Sequence, residues 1–268
     1  MLEIGLAIIA LGAFSFAAKD MASKNALQKE APMAANFYIN LFSFSLSFLY
    51  LLISGIPPIP QSALFPSIIV GAGLAFGTIF FFRALKEERA SIVGPLGTLW
   101  TFGVIVLAVL FFGKPISTGT ALGALLAFIG MLSVALLQKP KITLNLVLAI
   151  LIWSSWVFAA EVIDAVGPIA ALCLFSFFCA LFSLPGIAAK KPLRLVAPGA
   201  LNFLAFLSDV TATAMLGIVI VSSLLMPLYF VFIALGCRIF FHEKISSREA
   251  IGLALVCIGI TVSSVFSQ

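Results

Sequence analysis

Phe111-Phe112-Gly113-Lys114-Pro115-Ile116-Ser117, with Gly123-Ala124-Leu125-Leu126-Ala127-Phe128-Ile129-Gly130 after it, is the stretch on which the fold turns. Sliding the chain by 129 residues lays it over Phe240-Phe241-His242-Glu243-Lys244-Ile245-Ser246 and then over Gly252, Leu255, Ile258 and Gly259. The same offset pairs Trp100 with Tyr229. An offset of 142 brings Leu6-Ala7-Ile8 onto Leu148-Ala149-Ile150 and Phe16-Ala17-Ala18 onto Phe158-Ala159-Ala160. Self-similarity on this scale marks two copies of one unit.

Working outward, the medium of the fold follows from composition. Of 268 residues, 63% are hydrophobic and only 9% charged, and the mean hydropathy is +1.24. That leaves too little polar surface to coat a globule in water, so the chain belongs in a bilayer. A helix needs about twenty apolar residues to cross the hydrocarbon. By that ruler the spans lie near 2–19, 33–53, 64–84, 91–112, 117–137, 143–162, 167–188, 196–216, 218–240 and 247–266. The connections are short and carry turn formers, as in Ile56-Pro57-Pro58-Ile59-Pro60, and leave no room for a soluble domain. Cys173, Cys179, Cys237 and Cys257 all fall in apolar runs, so no disulfide framework is expected. The first apolar segment has its lysines behind it, at Lys19 and Lys24, which is not the layout of a cleavable leader.

The net charge of +5 makes no basic face for nucleic acid; it reports topology instead. Odd-numbered loops hold Lys19, Lys24 and Lys29, then Arg83, Lys86 and Arg89, then Lys139 and Lys141, then Lys190, Lys191 and Arg194, then Arg238, Lys244 and Arg248. Even-numbered loops hold only Lys114. Basic loops stay cytoplasmic, so both termini are expected outside, in a prokaryotic inner (plasma) membrane. Five spans per copy is an odd number, so the copies, 1–138 and 139–268, must enter the membrane in opposite senses. Their charges agree with this, since the loop after span 1 is basic while that after span 6 carries Glu161 and Asp164. The fold expected is all-α, ten transmembrane helices in two inverted five-helix repeats, an architecture of secondary transporters.

Residues Ala90 to Leu137 and Val219 to Ser264 resemble the paired repeats of the drug/metabolite transporter (DMT) superfamily, specifically the EamA type, and the resemblance covers nearly the whole chain. Its most specific piece is Glu243-Lys244-Ile245-Ser246, which is similar to the family's turn of glutamate, basic, aliphatic and hydroxyl residues; the first copy departs with Lys114-Pro115. The resemblance implies a central cavity lined by spans 1, 3, 4, 6, 8 and 9, alternating access, and transport of amino acids or other small metabolites, often outward. Glycines seven apart, Gly123 with Gly130 and Gly252 with Gly259, sit on one helix face and are read as close packing of spans 5 and 10. With that seam satisfied inside one chain, a functional monomer is expected.

Several polar and aromatic residues lie where lipid would disfavour them. Asp209, near the middle of span 8, shares a stripe with Asn202 and Thr213. A carboxylate at that depth costs about 2.5 to 3.5 kcal/mol on insertion scales, so it needs a wet cavity or a partner. It would bind a substrate cation or exchange a proton; the alternative is a structural hydrogen bond to a neighbouring helix. Trp100, Tyr229, Trp153 and Trp156 lie near span centres rather than at the interfaces where such residues gather, and so suit aromatic cavity walls as well as packing. Asn36 and Asn40, one turn apart in span 2, give a weaker form of the same signal, and Tyr38 points elsewhere. Pro95 and Pro227 interrupt spans 4 and 9 and are candidate hinges. Lys19, Arg83, Glu161 and Arg238, at span ends, are expected to snorkel to the interface.

No intramembrane cluster has metal-ligand spacing, His242 is the sole histidine, and no glycine loop suits a phosphate, so neither an enzyme, a cofactor nor an ATPase motor is expected. The reading is a secondary transporter, an exporter of small organic metabolites with amino acids first. An organic-cation transporter using Asp209 as counter-charge is the second reading, and a lipid-translocating or scaffold protein the third.

Overall fold

The computed structural model describes residues 2–88, 90–137, 144–240, 242 and 247–265. Arg89, Lys139, Lys141, the Glu243-Lys244-Ile245-Ser246 turn and the boundary between residues 138 and 139 lie outside them, as does the side chain of Pro95. The described residues form helices joined by turns, without a strand. Spans 1 to 3 are α1 (Leu2–Leu27), α2 (Pro32–Ser54) and α3 (Gln61–Glu87). Span 4 is split into α4 (Ala90–Gly97) and α5 (Trp100–Leu110), and span 5 is α6 (Thr118–Leu137). Span 6 runs through α7 (Leu144–Trp153), a 3-10 segment (Ser154–Phe158) and α8 (Ala159–Val166). Spans 7 to 10 are α9 (Pro168–Phe182), α10 (Val196–Leu216), α11 (Ile218–Phe240) and α12 (Ser247–Val265).

Six stretches are each long and apolar enough to cross a bilayer alone, the others being shorter: Leu2–Leu27, Pro32–Ser54, Gln61–Glu87, Leu144–Val166, Pro192–Leu216 and Ile218–Phe240. Neighbour contacts fix the direction of the rest. Gly5 faces Leu216 and Gly12 faces Ser208, so α1 and α10 are antiparallel. Asn36 meets Ser183 and Phe44 meets Phe177, which makes α2 and α9 antiparallel. Conversely, Gly12 against Leu225 and Met21 against Gly236 set α1 parallel to α11, and Gly71 against Phe178 with Phe76 against Phe182 set α3 parallel to α9. In each pair, odd spans run with odd and against even, as they must if every span crosses once.

Two of the crossings reverse within a single glycine. Gly167 (φ 82°) joins α8 to α9 and Gly217 (φ 81°) joins α10 to α11, each capping the preceding helix with its N–H, to Ile163 O and Thr213 O at 2.9 Å. Both have ψ near 160°, at 163° and 154°, a backbone region open essentially to glycine alone. These two turns hold the helices they join tightly side by side.

α6 and α12 show the seam directly. A methyl group at Gly259 would stand 2.6 Å from both the Ala127 nitrogen and the Gly123 oxygen, and one at Gly130 would stand 2.7 Å from the Gly252 oxygen. Only glycine lets the two backbones approach so closely. The helices are antiparallel, and the shift of 129 residues exchanges the Gly123–Gly259 contact with the Gly252–Gly130 contact.

Polarity is distributed as lipid demands. Ile53, Phe65 and Leu110 lie 81%, 70% and 72% exposed on the outside, whereas Lys19, Asp20, Asn36, Asn202 and Asp209 are buried inside. Water would reverse that arrangement; hydrocarbon favours it. The chain is an all-α, multi-span integral membrane protein.

Candidate functional site

Spans from both halves line a cavity of about 60 Å³. From the N-terminal side α1 contributes Phe16, Lys19 and Asp20, α2 contributes Asn36 and Asn40, and α3 contributes Thr78 and Phe81. The α4–α5 junction adds Thr98 and Trp100. From the C-terminal side come Trp153 and Trp156 of span 6, Asn202 and Asp209 of α10, and Tyr229 of α11. Asp209, Asn202, Trp100, Tyr229, Trp153, Trp156, Asn36 and Asn40, singled out by depth in the sequence, therefore line one space, while Thr213 of the Asp209 stripe does not. Span 2 joins the six spans that the family resemblance implied.

The walls are aromatic. Trp153 lies against Phe81 with ring centroids 5.0 Å apart and against Trp100 at 6.3 Å. Trp156, 3% exposed, wedges between Phe175 and Phe206 at 5.4 and 5.5 Å, so most of its surface serves packing. Beneath Trp153 lies Gly77, where a methyl group would stand 2.5 Å from the indole Cδ1. That glycine makes the seat for the indole ring.

Hydrogen bonds sort the polar lining into held and available groups. Asn36 donates to Ser183 Oγ at 2.8 Å, with Ala75 O and Cys179 Sγ as further acceptors, and so ties α2 to α3 and α9. Asn40 donates to the Asn36 backbone and side-chain oxygens at 3.0 and 2.9 Å. Asn202 donates to Ser43 Oγ at 3.0 Å. Asp209 is less committed: among the described residues its one hydrogen bond comes from Thr213 Oγ1 at 3.4 Å, one turn along its own helix. Tyr38 is spent outside the cavity on Ile187 O.

Two helix irregularities meet at the cavity. After Pro95, Leu99 N bonds to Leu96 O and Phe102 N to Leu99 O, one residue tighter than an α-helix, and span 4 breaks at Thr98–Leu99. Ser154 Oγ of the 3-10 segment in span 6 lies 3.5 Å from Trp100 O, across from that break. Interrupted helices are tolerated at membrane depth where they line a cavity, and they leave main-chain groups for ligands. Pro227, the candidate hinge of span 9, lies inside α11, which runs through it as one helix. The second interruption is instead in span 6, which has neither proline nor glycine there.

The largest departure from the sequence expectation lies on α1. Lys19 does not snorkel to an interface: the helix continues to Leu27, and Lys19 is 8% exposed on the cavity wall. Its Nζ stands 3.0 Å from Asp20 Oδ1, and Tyr229 OH donates to Asp20 Oδ2 at 2.8 Å. Arg83, Glu161 and Arg238 are exposed, as snorkelling requires. Asp20 lies just past the span 2–19 that hydropathy marks, and only the continuation of α1 to Leu27 brings it into the wall.

The sequence pattern of the EamA-like transporter family matches residues 3–136, half of the chain. A protein of Archaeoglobus fulgidus described as an uncharacterized transporter is 25% identical over 278 residues, covering 97% of each chain. A crystal structure of another protein superposes with a TM-score of 0.73 at 18% identity over 98% of each chain, a likeness of fold. The chain belongs to the EamA-like transporter family.

Proposed function

We propose that this transporter exports small organic metabolites, amino acids first, by alternating access of two inverted five-helix halves about the central cavity. The observation that carries the substrate class is the lining itself. Lys19, Asp20 and Asp209 present both signs of charge, and Trp100, Trp153 and Tyr229 present aromatic faces. A zwitterion with an apolar side chain is complementary to such a space, which offers a cation and an anion beside apolar walls. The two-fold exchange of glycine contacts between α6 and α12 supports the inverted halves, and because that seam closes within one chain the transporter works as a monomer. As the sequence carries no phosphate-cradling glycine loop, uphill movement draws on an ion or substrate gradient.

A second reading is favoured by Asp209, whose one hydrogen bond among the described residues comes from a neutral hydroxyl: an organic cation would find there a counter-charge among aromatic faces. Proteoliposomes separate the two. Uptake of labelled hydrophobic amino acids, with labelled quaternary amines excluded, is expected. Uptake of the amines alone would replace the first reading with the second, and lipid scrambling without uptake of either would overturn both.

A further inference from the structure

Lys19 and Asp20 are consecutive on α1, and consecutive helical side chains diverge by about 100°. To reach its neighbour the lysine folds back over the helix, with its ammonium 5.2 Å from the centroid of the Phe16 ring. The contact is correspondingly poor. Although Nζ lies 3.0 Å from Oδ1, no hydrogen bond of sound angle joins them, and Oδ1 is a buried atom with no hydrogen-bond partner among the described residues. The other oxygen is well held, by Tyr229 OH at 2.8 Å. Asp20 itself is 4% exposed and lines the cavity. A carboxylate is thus fixed by one oxygen from the opposite half of the chain, while its other oxygen meets only a badly aligned, tethered cation.

We infer that Asp20 Oδ1 is the cavity's ammonium-binding position, which Lys19 fills as a tethered stand-in and yields to the primary ammonium of an incoming ligand. Exchange of one ammonium for another keeps Asp20 paired throughout. The displaced Lys19 then needs an anion, and an α-carboxylate on the same ligand supplies it, so the pair recognises both ends of an amino acid. This second half rests on the amino-acid reading above; the first half holds for any primary ammonium. A ligand with an amine but no carboxylate would strand Lys19 in a buried site, so the lysine acts as a filter against simple amines. Asp209, the remaining charged residue of the cavity, has no cation tethered beside it and is not the filter.

The test uses purified protein in detergent, titrated calorimetrically with L-phenylalanine, phenethylamine and 3-phenylpropionate. Wild type is expected to bind the amino acid far better than the amine. Lys19→Gln should tighten phenethylamine by at least about tenfold while weakening phenylalanine and 3-phenylpropionate, a gain that loss of a merely structural lysine does not produce. Asp20→Asn should lose phenylalanine and the amine by a similar factor, with 3-phenylpropionate binding no more weakly than to wild type and Asp20→Glu partly restoring the amino acid. Thermal unfolding of each variant reports whether it folds. The ammonium site is overturned if Lys19→Gln leaves amine affinity unchanged, or if folded Asp20→Asn binds phenylalanine as wild type does. If wild type ignores phenylalanine but Lys19→Gln captures phenethylamine, the site stands and the amino-acid reading falls.

Discussion

The carboxylate of Glu30, in the turn between α1 and α2, accepts the backbone N–H groups of Lys190 and Lys191 at 2.9 and 2.7 Å. Glu30 is 2% exposed, so the two bonds are sheltered from water. They join the first odd-numbered loop to the one that precedes α10, across the two halves of the chain. Hydrogen bonds to a buried charge contribute about 1.5–3 kcal/mol each, and removing the acceptor strands two donors. Glu30→Ala should therefore lower the unfolding temperature in detergent by several degrees. A midpoint equal to wild type would show that the clamp adds nothing to stability.

Gly77 sets how far the Trp153 indole can withdraw from the cavity. Gly77→Ala places a methyl group in the space that the indole Cδ1 now fills and drives the ring toward Trp100 and Phe81. Binding of bulky ligands should weaken about tenfold, an overpacking cost of 1–3 kcal/mol, with small ligands less affected. Uniform weakening for all ligand sizes would locate the effect in folding rather than in the cavity wall.

Asp209 and Thr213 are linked along one face of α10, and only the aspartate reaches the cavity wall. On the organic-cation reading, Asp209→Asn should preserve the fold while abolishing stabilisation by a quaternary amine in a thermal-shift assay. Thr213→Val should keep that response. If ligands stabilise Asp209→Asn and wild type equally, the aspartate is a structural residue.

The seam of α6 and α12 tolerates no side chain. Gly259→Leu meets the Ala127 nitrogen and Gly123 oxygen, backbone atoms that cannot turn aside. A loss of more than about 3 kcal/mol is expected, read as a sharp fall in folded yield, with Gly259→Ala intermediate. A dimer in detergent that disappears on Gly259→Leu would mean that the glycine face serves a second copy instead.

Most of this architecture is legible in the sequence because lipid makes the rules strict. Span length and loop charge placed ten helices with their odd and even loops on opposite sides. Tyr229 and Asp209 stood out by depth, since such groups are costly in hydrocarbon without a cavity. Lys19 and Asp20 escaped because a charge near a span end normally reaches the interface, and only the continuation of α1 to Leu27 carries them inward. The 3-10 segment at Ser154–Phe158 left no local trace either. Its serines are seated by Gly73 and Gly103, residues of spans 3 and 4, and contacts between distant spans are invisible to a window moved along the chain. Pro95 did mark a break, displaced to Thr98–Leu99 where the tightened turn ends.

The glycine seam between α6 and α12 has a consequence for assembly. Each helix offers the other the same surface it receives, so mutual recognition of the halves is written into the last helix of each and does not depend on the peptide that joins them. Residues 1–137 and 144–268, synthesised as separate polypeptides, are expected to find one another in the membrane and close the same cavity. The covalent link ensures equal numbers; the glycines choose the partner.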